Sequence, residues 1–454
     1  MDKGKIGLIG AGSGCFSLSL IKDLCHSEVL DGFEISLMDI DKERLDAVHA
    51  IAKRLVEELG ASIRVEKTMD RIRCISGADY IINTALAAPH YRLREGWKIA
   101  QKYGFKFGGS YHVMYDEAFW VNFYQLKLFE SITEDILKYA PEAWHLLVAN
   151  PVVAGITHIK RKYREAKIVG LCHGYGMVKG IASMLGLSVE SLVYEIPGVN
   201  HFVWLNSAYA GTDDLFVYLN KWIEEKSGEH WKNCGISDKM GRKRMDFYKK
   251  HRVVGIGDTL GWTGACWPWW YHSDDETEKF YGEYQPMDGW NSYFTMVEEN
   301  AAWMKELKVI ADNNESMQDK LGKLWTDDLM VPLIESLHGG APQVYVVNIT
   351  NEGALVPGLP EDFEVEVPAY CSKRGIDGIK TSPLPRSIIA HTLRDRVAPV
   401  EMELCALNER NLDFLHELVL MDKWATSSNQ VEAFVDEILN LPYHEEMREY
   451  YCLY

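Results

Sequence analysis

Residues Gly7 to Cys15 read G-L-I-G-A-G-S-G-C, directly after an apolar strand pattern and directly before a helical one. A strand, a glycine-rich turn and a helix in that order constrain the fold strongly. Gly10 allows the tight turn, Gly12 lets a pyrophosphate approach the backbone, and the helix amino end supplies unpaired N–H groups with a favourable dipole. The loop departs from the full G-x-G-x-x-G pattern at Cys15, and an ordinary tight turn would also use these glycines. Asp39, which closes the second strand, favours the nucleotide reading. An acidic residue at that place binds the adenosine ribose hydroxyls and selects NAD over its 2′-phosphorylated form.

The remainder of the amino-terminal half continues the alternation. A helix is expected from Phe16 to Cys25, a strand in FEISLMDID, a long amphipathic helix from Lys42 to Leu59, a short strand from Ile63 to Thr68 and an apolar run from Asp79 to Ala85. WHLLVANP (Trp144 to Pro151) and AKIVGLCHG (Ala166 to Gly174) read as two further buried strands. Such alternation predicts an α/β fold with a Rossmann-like doubly wound sheet. Ligands gather at the carboxyl ends of strands in such sheets, which singles out Asn83, Asn150, Cys172 and His173. From about Gly198 the texture is mixed: GVNHFVWLNSAYAG reads as a β hairpin, QVYVVNIT and FEVEVPAY as strands, and Ser387 to Tyr450 as amphipathic helix. We therefore expect a nucleotide-binding domain at 1–195 and a mixed α+β substrate-binding and oligomerisation domain at 196–454, with the site between them.

Composition narrows the function classes. The 454 residues carry 66 Asp+Glu against 48 Lys+Arg, a formal charge of −18. Nucleic acid and anionic membranes need a basic footprint, so neither is expected as a partner. No apolar run approaches about 18 residues, so no membrane span is expected. Nine cysteines without a CxxC pair, and an amino end that enters a strand without a secretory signal pattern, suggest reduced thiols in the cytoplasm.

Cys172 and His173 close one strand, while Asn200 and His201 lie in the hairpin sequence PGVNHFVWLN. A thiolate and an imidazole from two elements can converge on one divalent metal; a buried thiol and a satisfied core histidine would look the same. Asp258 in VVGIGDTLGW is either a proton acceptor near that site or a turn-capping aspartate. Trp267, Trp269, Trp270 and Tyr271 could wall a sugar, but packing in the core or against another subunit is favoured, because tryptophan serves packing first.

Taken together, IGAGSG-x-F, LMDID, INTA, ANPV, GLCHG, GVNHFVWLN, IGDT and NLPYHEEMREYY resemble, along the full chain, glycoside hydrolase family four, the NAD- and manganese-dependent glycosidases. The CHG at Cys172 to Gly174 is similar to the branch acting on unphosphorylated α-glucosides, α-galactosides, α-glucuronides and α-galacturonides. The resemblance implies a lactate/malate dehydrogenase-like fold, NAD and manganese as cofactors, a small glycoside as substrate, and a homodimer or homotetramer. It also implies a redox-assisted elimination and addition in place of paired-carboxylate hydrolysis. It carries Cys172 and His201 over as metal ligands and Asp258 as the base at carbon 2. It places Gly10, Ala11, Gly12, Ser13, Gly14, Phe16, Asp39, Asn83 and Thr84 at the cofactor, Asn150 at cofactor and substrate, and His173 and Asn200 at the sugar.

Two positions differ from the α-glucosidase pattern: Gly108-Gly109-Ser110 replaces a segment with an acidic residue, and Gly261 replaces an arginine. Tyr111, His112 and Asp116 are the candidates for the missing leaving-group acid, His112 first because imidazole titrates near neutrality. Arg92, Arg94 or Arg252 would serve a uronic acid. A net NAD-dependent sugar or hydroxy-acid dehydrogenase, and a cofactor-binding sensor without turnover, are the alternative functions.

Overall fold

The computed structural model describes residues 3–172, 174–234, 238–260, 267–272, 276, 280, 286–321 and 328–452. Six strands of the amino-terminal half form the parallel part of the main sheet: β1 (Lys5–Ile9), β2 (Glu34–Met38), β3 (Arg64–Thr68), β4 (Tyr80–Asn83), β5 (Trp144–Leu147) and β6 (Ile168–Gly170). Their spatial order is β3-β2-β1-β4-β5-β6, all parallel. This is the doubly wound order, with its reversal point between β1 and β4. The α/β expectation is met.

The helix Lys42–Leu59 illustrates how local sequence sets these elements. Asp41 caps its first turn by accepting from the Arg44 N–H at 3.1 Å, and Gly60 ends it in the left-handed conformation. Its apolar stripe, which includes Leu45, Val48, Ile51, Ala52 and Leu55, is buried against the sheet.

The second half extends the same sheet. Its strands are β7 (Leu192–Glu195), β8 (Gly198–Val199), β9 (Phe202–Leu205), β10 (Ser207–Ala210), β11 (Asp213–Asp214), β12 (Val254–Ile256), β13 (Gln343–Thr350), β14 (Glu364–Ser372) and β15 (Gly375–Gly378). Beyond β6 the order continues β13-β14-β8-β9-β12, every pair antiparallel, with β15 on the other part of β14. The single hairpin expected at Gly198 to Gly211 is divided. β8 and β9 join the main sheet, whereas β10 pairs with β7 and β11 in a separate three-stranded sheet. The change falls at Asn206, whose side chain is tied to Glu195 and to the Ser382 carbonyl.

The carboxyl-terminal helices return to the amino-terminal half. Phe434, Val435, Ile438, Met447 and Tyr451 share one buried cluster with Trp97, Phe119, Trp120 and Phe123. Sheet and core therefore both run across residue 195. Among the described residues no helix is long and apolar enough to cross a membrane.

Candidate active site

The glycine loop sits at the reversal point of the sheet. Gly10 has φ 88°, and a Cβ there would lie 2.6 Å from the backbone N and Cα of Ala85, so β1 and the segment after β4 approach too closely for any side chain. Asp39 follows β2. Its Oδ2 accepts from the Gly12 N–H at 2.7 Å and its Oδ1 from the Asp41 N–H at 2.8 Å, which fixes the carboxylate beside the loop. A Cβ at Gly12 would meet that carboxylate at 2.8 Å. Ala11 is fully buried, Ser13 is exposed, and the backbone of Phe16 lies in the first turn of the helix Cys15–His26. Gly14, with φ 67°, packs against Met304 of the helix Pro286–Asp312. Thr84 donates to the Ile9 or Gly10 carbonyl, each at 3.2 Å, and the buried Asn83 amide accepts from Ala85 N–H at 3.1 Å while its Nδ2 has no partner. A cradle that a Cβ would fill, beside a fixed carboxylate, fits a dinucleotide.

Cys172 follows β6, and His201 occupies the turn between β8 and β9 in the left-handed conformation, φ 59°. Their side chains hydrogen-bond to each other. Asp258 joins them from the turn after β12, with Oδ2 4.0 Å from His201 Nε2. The glycines of both motifs are explained here: a Cβ on Gly257, φ 56°, would sit 2.8 Å from Gly174 Cα, so the two loops touch backbone to backbone. Arg244 holds the Asp258 turn from behind by donating to the Gly255 carbonyl at 2.9 Å and the Gly257 carbonyl at 3.4 Å. Thr259 Oγ1 ties the same turn to β9, accepting from Val203 N–H and donating to its carbonyl.

Around this core lies a set of carboxylates of which only Asp116 is among the residues expected from the sequence. Glu117 Oε1 lies 3.5 Å from His201 Nδ1. Asp116 accepts from Asn150 Nδ2 at 3.2 Å, which brings the expected Asn150 into the site. Glu364 and Glu366 point to the same face of β14 and both hold Asn200: Glu364 accepts from its backbone N–H at 3.1 Å and Glu366 from its Nδ2 at 3.3 Å. One sequence signal could have found this pair, the period-two glutamates in the otherwise apolar run FEVEVPAY. No comparable signal marks Glu117.

Burial raises the carboxyl of Asp116 to about 7, helped by the neighbouring Glu117 charge. Burial likewise raises Glu366 to about 7. Burial also lifts the Cys172 thiol, aided by Glu366 and opposed by His201. Burial alone would lower His201, but its hydrogen bonds with Cys172 and Glu117 outweigh this and hold the imidazole well above its ordinary value.

Among the described residues no group of three His, Cys, Asp or Glu side chains is drawn together at metal-binding distances. The donor chemistry nevertheless fits a divalent cation. A thiol and an imidazole already meet, and Asp116 Oδ1, Asn200 Oδ1 and Glu366 Oε1 are buried without partners nearby.

His112 is buried with its Nε2 3.2 Å from Glu403 Oε2 and its Nδ1 3.4 Å from Ser110 Oγ, so its ring is turned into a polar core contact. His173 and Gly261 lie outside the described residues. Trp267 and Tyr271 are core residues, Trp267 packing edge-on against Phe202 and donating to Asp395. The packing role holds for these two; Trp269 and Trp270 are half-buried.

The family model described as family 4 glycosyl hydrolase matches residues 5–187, and that of the family 4 glycosyl hydrolase C-terminal domain matches residues 196–425. An α-glucosidase of Erwinia rhapontici is 26% identical over 463 residues, spanning 96% of this chain and 97% of its own. A 6-phospho-α-glucosidase from gut microorganisms, solved in complex with NAD and Mn2+, superposes with a TM-score of 0.77 at 17% identity, over 96% of this chain and 98% of that one. The lactate dehydrogenase of Cryptosporidium parvum shares the fold at a TM-score of 0.52 and 15% identity, over 90% of this chain and 99% of that one.

Proposed function

The chain belongs to glycosyl hydrolase family 4, and on that premise we propose that it cleaves α-glycosidic bonds of unphosphorylated glycosides with NAD and a divalent metal, manganese. The observation that carries the reading is the meeting of Cys172, His201 and Asp258 at the carboxyl end of the sheet, on the side where the glycine cradle opens. NAD and manganese, when bound, would supply reversible hydride exchange with the sugar and polarisation of its adjacent oxygens. Gly10 to Gly14 and Asp39 would hold the dinucleotide, with Asn83, Thr84 and Asn150 beside its nicotinamide end. Cys172 and His201 would hold the cation, and Asn200 is fixed against the site by its two glutamates.

Asp258 would take the proton from carbon 2. Its place on a short turn braced by Arg244 and Thr259 fixes the carboxylate, which favours proton transfer over a short path. For the acid that assists departure of the aglycone, Asp116 replaces His112. A carboxyl raised to about 7 still carries its proton near neutrality, and Asn150 orients it, whereas His112 faces Glu403. We further propose the 1–195 and 196–454 division as functional halves sharing one sheet, in a cytoplasmic homodimer or homotetramer that light scattering would size.

Incubation of the protein with NAD, manganese, a thiol reductant and aryl α-glycosides in deuterated water tests the mechanism. Deuterium is expected at carbon 2 of the released sugar. Release of unlabelled sugar would sink the proposal, and NADH accumulating in step with product would favour net dehydrogenation instead.

A further inference from the structure

Among the described residues, Arg396 is a cation beside this site with two unpaired donors. Arg396 is 2% exposed and lies on a π-helical turn, Leu393–Val397, inserted between the helices Arg386–Thr392 and Ala398–Glu409. Such insertions occur frequently at functional sites. Its guanidinium carbon is 3.4 Å from the ring centroid of Tyr111 and 4.4 Å from that of Phe202, so the two rings bracket it. Both rings belong to the active-site wall: the Tyr111 hydroxyl donates to the His201 carbonyl at 3.3 Å, and Phe202 follows His201 in the chain.

A guanidinium held by its faces recognises ligands with its rim. Arg396 Nη1 donates to the Asp395 carbonyl at 2.7 Å, while Nε and Nη2 are buried and have no hydrogen-bond partner. Those two nitrogens form the edge that pairs with a carboxylate through two parallel hydrogen bonds. The adjacent carboxylate is already engaged, since Asp395 is held by Arg394 and by the Trp267 indole. A charged group buried with two orphaned donors is unfavourable unless an anion completes it. Among the described residues no carboxylate hydrogen-bonds to those two donors, which leaves that place to an anion that a substrate brings.

We infer that the Nε–Nη2 edge of Arg396 receives the carbon-6 carboxylate of the sugar, which makes this a site for α-uronides such as galacturonides or glucuronides. The inference rests on the glycosidase reading and names its substrate class. It moves the expected cation from Arg92, Arg94 and Arg252, whose guanidinium groups meet rings other than Tyr111 and Phe202. Arg92 lies over Tyr124 and Tyr443, Arg94 over Phe294, and Arg252 is exposed beside Tyr248. A carboxylate is favoured over a phosphate because one guanidinium balances its single negative charge, whereas a phosphate dianion among these carboxylates would stay partly uncompensated.

The test compares aryl α-galacturonide and α-glucuronide with the matched galactoside, glucoside and 6-phosphoglucoside on the NAD- and manganese-loaded protein. Uronides are expected to exceed the neutral sugars by about 100-fold in kcat/KM. Arg396→Gln is expected to collapse that ratio, chiefly through KM, and Arg396→Lys, which keeps the charge without the fork, to restore it in part. Faster turnover of neutral or phosphorylated substrates, or an equal loss on all substrates in Arg396→Gln, would overturn the inference. Calorimetry with free galacturonate and galactose covers the case in which the variants do not fold. Tighter binding of galacturonate to the wild-type holoprotein is expected, and equal affinity would overturn the assignment. Selective galacturonate binding without turnover of any glycoside would sink the glycosidase reading alone.

Discussion

Glu366→Gln offers a quantitative probe of the buried acidic cluster. Glu366 lies in the middle of the main sheet on β14, is fully buried, and engages Asn200 with one oxygen while the other has no partner. Burial raises its carboxyl from the ordinary 4.5 to about 7. Because the folded value lies above the unfolded one, the protonated side chain's contribution to stability is complete below about pH 4.5 and is lost as pH rises to about 7. At about 1.4 kcal/mol for each tenfold change in proton affinity, the loss amounts to about 3 kcal/mol above neutrality. Glutamine imitates the protonated group and does not titrate. In protein stripped of metal and NAD, Glu366→Gln should therefore match the wild type near pH 4.5 and exceed its stability by about 3 kcal/mol at pH 8. Urea denaturation followed by tryptophan fluorescence across this range measures the difference directly. A difference that stays constant with pH, or a variant less stable than wild type at pH 8, would refute the assignment of burial as the dominant influence on this carboxyl.

Three further outcomes follow from the site. Gly10→Ala forces a side chain into a left-handed position 2.6 Å from the Ala85 backbone, so a loss of at least about 1–2 kcal/mol in stability and a weakened NAD complex by titration calorimetry are expected. Cys172→Ser should reduce manganese affinity by at least about tenfold, read by electron paramagnetic resonance of the free ion; unchanged affinity would remove Cys172 from the ligand set. Asp116 donates only while protonated, so turnover of glycosides with poor leaving groups should fall as pH rises through about 7. Asp116→Asn should abolish that limb and slow such substrates by about 100-fold or more, while sparing those whose leaving group needs no proton.

Much of the fold could be read from short stretches of sequence. The helix Lys42–Leu59 begins after a capping aspartate and ends before a left-handed glycine, and both its bounds coincide with those expected from its periodicity. The hairpin at Gly198 to Gly211 could not be read in this way. Its residues have strand character throughout, yet the chain divides at Asn206, which is tied to Glu195 just before the hairpin and to Ser382, far from it in sequence. His112 shows the same limit within the site. Imidazole chemistry recommends it, but its ring lies against the Glu403 carboxylate, and that residue arrives from a helix near the carboxyl end.

The sequence by itself marked the glycine turn after β1 and the alternating strands and helices of the parallel sheet, because turns and periodicity are local properties of the chain, and the family resemblance of its motifs singled out Cys172, His201 and Asp258. Only the tertiary structure decided which charges share that site. Glu117, Glu364, Glu366 and Arg396 come from a loop, a strand and a π-helical turn distant in sequence. Burial then raises the carboxyls of Glu364 and Glu366 above the ordinary carboxylate range, because removal from water acts on charge wherever the fold places it.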